Sequence, residues 1–152
     1  TLVEALENEY PLHVDEYALV ADSGGPGAHR GGMGIARQIR AVAPHTIFSV
    51  RSDSHTVGVP TGVFGGGDGK RARLIKNHGT CGAQELYSKV ARIEMMPGDS
   101  MRIETPGGGG YGPAAQRALH ALAQDLRDGR VSRTAAERDY GVERVAAALA
   151  LE

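Results

Sequence analysis

Two side chains with acid–base and anion-binding chemistry stand together in a stretch that offers little else. They are His29 and Arg30, inside Ser23-Gly24-Gly25-Pro26-Gly27-Ala28-His29-Arg30-Gly31-Gly32-Met33-Gly34, where six of twelve residues are glycine. Glycine loses more chain entropy on folding than other residues, so such a run belongs where the backbone takes positive φ or closely approaches something. An imidazole titrates near neutrality and can act as acid or base. A guanidinium between glycines presents a planar set of donors suited to a carboxylate or phosphate, with loop N–H groups adding to it. Spacing alone leaves a structural alternative open, in which Arg30 pairs with a neighbouring acid and His29 caps a turn.

Three further patterns carry weaker chemistry. The second glycine-rich loop, Val57 to Gly69 followed by Lys70-Arg71, superficially resembles a phosphate loop, but a Walker A pattern needs Gly where Phe64 stands and Ser or Thr where Arg71 stands. Gly107, Gly109 and Gly112 of the third loop match G-x-G-x-x-G. A dinucleotide fold needs a second parallel strand ending in an acid after that motif, whereas the residues after Pro113 read as helices. Cys81, in the turn Asn77–Gly82, is the only cysteine. It excludes an internal disulfide framework and leaves a cysteine-based zinc site dependent on another chain, and a lone thiol is more often inert than nucleophilic.

The elements that must hold these loops alternate along the chain. Leu2, Val3 and Leu6 space as a short helix that needs something to lie on. Leu12–Val20, Ile35–Val42 and Thr46–Ser52 read as strands, the second and third pairing antiparallel, with Asp53-Ser54-His55 bounding the third. Arg73–Lys76 is a short strand, and Glu85–Val90 and Ala91–Met95 are two more. Pro97–Ser100 turns into Met101–Thr105 to make a hairpin, with Met101 and Ile103 on one face. After Pro113, Leu119, Leu122 and Leu126 form an apolar stripe ending at Gly129, Ser132 opens a second helix closing at Tyr140-Gly141, and Val142–Leu151 forms a third. The expected fold is α+β in one domain: a β-rich body over 1–112 with glycine-rich loops, then a short helical segment over 113–152.

The totals bound the partners. A chain of 152 residues with net charge -1 and scattered basic residues has no electrostatic footprint for nucleic acid or an anionic membrane. No apolar run approaches a membrane span, and Glu4 and Glu7 stand where a signal peptide would be basic, so a cytoplasmic protein is expected. With 22 glycines, 5% aromatic residues and no tryptophan, the chain's own core is poor and a neighbour is expected to supply part of the folding energy. The chain opens on Thr1, as removal of an initiator methionine or a proteolytic start would leave it.

Several collinear motifs covering nearly the whole chain carry a resemblance. They are Asp22–Gly27, His29–Gly34, Phe64-Gly65-Gly66, Gly98-Asp99, Arg102-Ile103-Glu104-Thr105-Pro106-Gly107-Gly108-Gly109-Gly110-Tyr111-Gly112, Val131-Ser132 and Asp139-Tyr140-Gly141-Val142. In this order they resemble the C-terminal part of the hydantoinase B family, which includes B-type parts of N-methylhydantoinases and 5-oxoprolinases and a large subunit of ketone carboxylases. The resemblance implies an ATP-dependent complex in which a hydantoinase A-like subunit phosphorylates an oxygen and the B-like part handles the activated intermediate. The family's longer N-terminal region, with its histidine and aspartate metal ligands, has no counterpart in these residues. No cofactor is therefore assigned to this chain, and ATP and a divalent metal are expected in partner subunits.

A short B-like chain is most similar to a small split subunit of acetophenone carboxylase, which makes benzoylacetate from acetophenone and bicarbonate without biotin. A split subunit of a hydantoinase or 5-oxoprolinase, or a purely structural subunit, is the alternative. Either implies an obligate hetero-oligomer with larger hydantoinase B-like and hydantoinase A-like subunits, inactive and poorly stable alone. The candidate catalytic residues are His29 and Arg30. Gly25, Gly27, Arg30, Gly31, Gly32, Gly108, Gly109, Gly110 and Tyr111 are expected to line an intermediate-binding site or a subunit interface.

Overall fold

The computed structural model describes residues 2–52 and 58–151. Thr1, the boundary Asp53-Ser54-His55 and the loop's first residue Val57 lie outside the described residues. The architecture is mixed α and β, with antiparallel sheets and a helical C-terminal segment, as expected. Backbone contacts group the chain into two compact units.

The first unit draws on residues 1–18, 35–57 and 72–105. The short helix α1 (Val3–Glu9) buries no residue. It is tied to β1 (Leu12–Val20) by Glu7, whose Oε1 accepts from the Val14 N–H and lies against His13 Nδ1, both at 2.8 Å. β2 (Gly34–Ala41), β4 (Arg73–Lys76), β5 (Gln84–Glu85) and β7 (Ser100–Glu104) join β1 in a sheet ordered β1-β2-β7-β4-β5. The period-2 alternation sorts its faces. Ile39 opposes Met101 and Leu74 opposes Ile103, and Ala41, Leu74 and Met101 are buried together with Met95. On the other face Arg102 reaches Glu16 and Glu104, and Arg40 meets Asp15 at 2.6 Å.

Three expectations are corrected here. β3 (Thr46–Arg51) pairs not with β2 but with β6 (Lys89–Met95) in a separate two-stranded sheet. His45 takes a left-handed φ of 59° after Pro44, and the chain turns out of the first sheet before β3 begins. The Pro97–Ser100 turn does not make a hairpin, because β7 sits between β2 and β4 and both its edges are taken. The turn is bonded instead to the end of β2, through Gly98 N–H to Ala41 C=O and Ala41 N–H to Asp99 C=O, both 2.9 Å. The Asn77 side-chain amide, at 2.9 Å, holds the Asp99 carboxyl below the usual range, helped by the Met96 N–H. Lastly, Glu85–Val90 is not a strand of its own: Glu85 ends the two-residue β5, and Lys89-Val90 open β6, which runs unbroken to Met95.

The second unit draws on residues 19–34, 58–71 and 106–152. Its apolar core is helical. Leu122 and Ala123 of α2 (Leu119–Arg127), Ala135, Ala136 and Tyr140 of α3 (Arg133–Tyr140), and Val145 and Ala148 of α4 (Val142–Leu149) pack with Val131. Alanines at the contacts let short helices approach closely. Ser132 caps α3 by accepting from the Ala135 N–H, a contact worth about 1 kcal/mol. Pro113 does not open an α-helix as expected; it precedes a 3-10 turn, Ala114–Gln116. Arg117 and Ala118 are extended, so α2 begins only at Leu119.

Candidate functional site

The three glycine-rich segments are not loops around an open cradle. In the second unit they lie against one another, backbone on backbone. Gly25 N–H donates to Gly108 C=O (2.8 Å), Gly67 N–H to Pro26 C=O (2.7 Å), Gly110 N–H to Gly67 C=O (2.8 Å), and Gly107 N–H to Lys70 C=O (3.1 Å). A Cβ added to Gly25 would stand 2.2 Å from Gly67 O, on Gly31 2.0 Å from Gly108 O, on Gly109 2.2 Å from Thr61 O, and on Gly110 2.0 Å from Pro26 O. None of these four glycines has a left-handed φ. They are glycine because a carbonyl oxygen occupies the place of the side chain, as at the axis of a collagen triple helix. The Cα hydrogen pointing that way makes a weak C–H···O contact, worth about 0.5–1 kcal/mol.

Ser23 and Asp22 anchor this bundle. The Ser23 hydroxyl donates to Val20 C=O (2.6 Å) and accepts from Gly34 N–H (2.8 Å), so it closes the first segment on itself. Asp22, at φ 60°, accepts from Ser132 N–H (2.6 Å) and fixes the bundle to the start of α3. Arg117 and Asp125 form a second tie. Arg117 Nη1 donates to Ala28 C=O (3.2 Å) and Nη2 to Asp125 (2.5 Å), with the two residues 8% and 2% exposed. Sequence reasoning missed this pair. Its signal was an acid at position 125, on the apolar stripe between Leu122 and Leu126.

Arg30 lines a pocket of about 340 Å³ together with Leu19, Gly31, Gly32, Met33, Asp125 and Arg130. Its Nε and Nη1 are buried and find no hydrogen-bond acceptor among the described residues. The neighbouring acid of the structural alternative therefore does not reach those two nitrogens. Gly32 differs from the other glycines of the bundle. It has no left-handed φ and nothing within 4 Å of its Cβ position.

The predicted residues thus separate. Gly25, Gly27, Gly108, Gly109 and Gly110 lie inside the bundle, Arg30 and Gly32 line the pocket, and Gly31 does both. His29 is held by its backbone, which exchanges two hydrogen bonds with Tyr111 (3.0 and 2.9 Å), and its exposed ring lies 6.0 Å from the Tyr111 ring. Phe64 packs on Tyr111 at 5.2 Å. Phe64 takes a left-handed φ of 51° and is 78% exposed; Tyr111 is 51% exposed. His29 and Tyr111 therefore belong to an exposed aromatic face, and Arg30 to the pocket. Cys81 is exposed. Among the described residues no three of His, Cys, Asp and Glu are grouped to hold a metal ion, and no helix is long and apolar enough to cross a membrane.

Comparison with known proteins gives a consistent set of relatives. Residues 1–114 match the Hydantoinase B/oxoprolinase family. The B component of a putative D-/L-hydantoinase from a Pseudomonas species is 33% identical over 92% of this chain and 24% of its own length. The beta chain of the Pseudomonas jessenii caprolactamase is also 33% identical, over 92% of this chain and 24% of its own. In the crystal structure of that ATP-dependent caprolactamase, one chain superposes with a TM-score of 0.84 at 30% identity, covering 93% of this chain and 25% of that one. Nucleotide-free acetone carboxylase shares the fold, with a TM-score of 0.81 at 20% identity over 99% of this chain and 26% of that one. The chain spans about a quarter of the length of these relatives.

Proposed function

This chain belongs to the hydantoinase B/oxoprolinase family, and from that premise we propose that it is the glycine-bundle part of an ATP-dependent assembly that opens cyclic amides. One observation carries the reading. The relatives at 30% identity or more over most of this chain include a caprolactamase, a hydantoinase and 5-oxoprolinases, and the caprolactamase is ATP-dependent. Lactam and hydantoin rings share one reactive unit, an amide HN–C(=O) whose C–N bond water cleaves slowly unless the carbonyl oxygen is activated.

The acetophenone carboxylase reading ranks second. It draws on acetone carboxylase, whose likeness at 20% identity supports a shared fold and carries no substrate. In the preferred reading, larger hydantoinase A-like and B-like chains hold ATP and the divalent metal. This chain supplies a stiff backbone platform in the cytoplasm. Val63, Phe64 and Tyr111, each half or more exposed, are the face offered to the larger B-like chain, an obligate partner.

Co-expression with larger A-like and B-like chains from the same source tests this. The assembly is expected to release ADP in response to caprolactam, hydantoin or 5-oxoproline and to yield the ring-opened acid, while this chain alone does neither. ADP release that requires acetophenone and bicarbonate, with no response to any cyclic amide, would replace the reading with the carboxylase.

A further inference from the structure

We propose that the outer edge of β3 takes an extended strand of the larger B-like chain through main-chain hydrogen bonds. β2 runs into β3 and β6 into β7 across short turns, so the pair β3–β6 continues the pair β2–β7. On the outer side of β2, β1 follows as far as Val42, whose N–H donates to Pro11 C=O (3.0 Å). Past that point β3 has β6 as its only strand neighbour among the described residues. Ser52 N–H donates to Ser88 C=O (2.8 Å). By the alternation of an antiparallel ladder, Thr46, Phe48 and Val50 therefore turn their N–H and C=O groups to β6, and Ile47, Ser49 and Arg51 turn theirs outward. Such a row of backbone groups is a template for strand addition.

The two edges of this ribbon are not alike. β6 is bulged, with Ala91 and Arg92 standing opposite the single residue Ser49, and it carries Lys89, Arg92 and Glu94. Bulges and charges both keep an edge from pairing. β3 is regular and has neither a charge nor a proline from Thr46 to Val50, and its Ile47 is 51% exposed. Arg51 stands directly opposite Lys89, a like-charge arrangement that an acid on a neighbouring strand would offset. These features state the chemistry of the occupant: extended, apolar beside Ile47 and acidic beside Arg51. Most of the length of the hydantoinase and caprolactamase relatives has no counterpart in this chain, so a B-like chain has polypeptide to supply the strand. The choice of occupant rests on the partner proposed above, and the pairing holds whether or not the assembly opens cyclic amides.

The test is residue-resolved amide exchange of the full 152-residue chain, alone and in complex with the larger B-like chain co-expressed from the same source. The amides of Ile47, Ser49 and Arg51 are expected to exchange freely in the chain alone and to slow by about tenfold or more in the complex, while those of Phe48 and Val50 are protected in both. Ile47→Pro removes an outward N–H and no bond of the ladder. It should keep the Tm of the chain alone and weaken the complex by about tenfold or more. Arg51→Glu faces Lys89, so it should not lower that Tm, yet it should weaken the complex too. Should Ile47→Pro not fold, Arg51→Glu and the exchange pattern carry the comparison. A complex in which the three amides still exchange freely, or whose affinity the variants keep, overturns the strand addition and leaves the partner assignment standing. Absence of any complex overturns both. Protection of the three amides in the chain alone would give the edge to a second copy and overturn the proposal. None of these results bears on the ring-opening activity, which turnover of the assembly decides.

Discussion

Gly25→Ala and Gly107→Ala should each destabilise the protein by about 3 kcal/mol or more, at or beyond the top of the range for overpacking a core. The added methyl would stand 2.2 Å from Gly67 O in the first and 1.9 Å from Ser23 O in the second. A crowded side chain can change rotamer, but these neighbours are backbone atoms already committed to hydrogen bonds. Ser23 C=O accepts from Lys70 N–H at 2.8 Å, so moving it breaks a second contact. Urea midpoints measure the effect, with Gly32→Ala as the internal control. Midpoints for Gly25→Ala and Gly107→Ala equal to wild type would mean that the segments are not packed together.

The second large effect is expected at the buried ion pair. Asp125→Ala should cost about 3–5 kcal/mol, because it leaves the Arg117 guanidinium buried without its counter-charge. The pair is 2% and 8% exposed and joined at 2.5 Å, so water cannot readily take the place of the carboxylate. The double change Arg117→Met with Asp125→Leu should recover much of that loss, since the pair's attraction only roughly offsets its desolvation. Equilibrium unfolding of the two single variants and the double variant closes a mutant cycle. Additive losses would show that the two side chains do not depend on each other.

The elements were legible in the sequence where one local signal decided them. Leu12–Val20 alternates, Ser132 and Gly141 bracket α3, and Gly129 at φ 67° ends α2 as its position predicted. Strand partners were not legible, because adjacency favours β2 with β3 whereas His45 and the central place of β7 decide otherwise. The glycines announced close approach, but whether to a ligand or to one another was not a local property. A carbonyl oxygen beside Gly25 comes from residue 67, and one beside Gly31 from residue 108. Arg30 stood out from its glycine setting, while Arg130 and Asp125, its companions in the pocket, come from the helical end of the chain with no motif to mark them.

The central claim is that the glycine-rich segments form a packed core that holds Arg30 in place. Native-state amide hydrogen exchange tests it most directly, because it reads each hydrogen bond separately. The N–H groups of Gly25, Gly67, Gly107, Gly108 and Gly110 are bonded to the carbonyls of Gly108, Pro26, Lys70, Gly32 and Gly67. They are expected to be protected to within about tenfold of the helical core amides of Leu122 and Val145, as members of one cooperative unit. Exchange of those five glycines at the rate of an unstructured chain, with Leu122 and Val145 still protected, would contradict it.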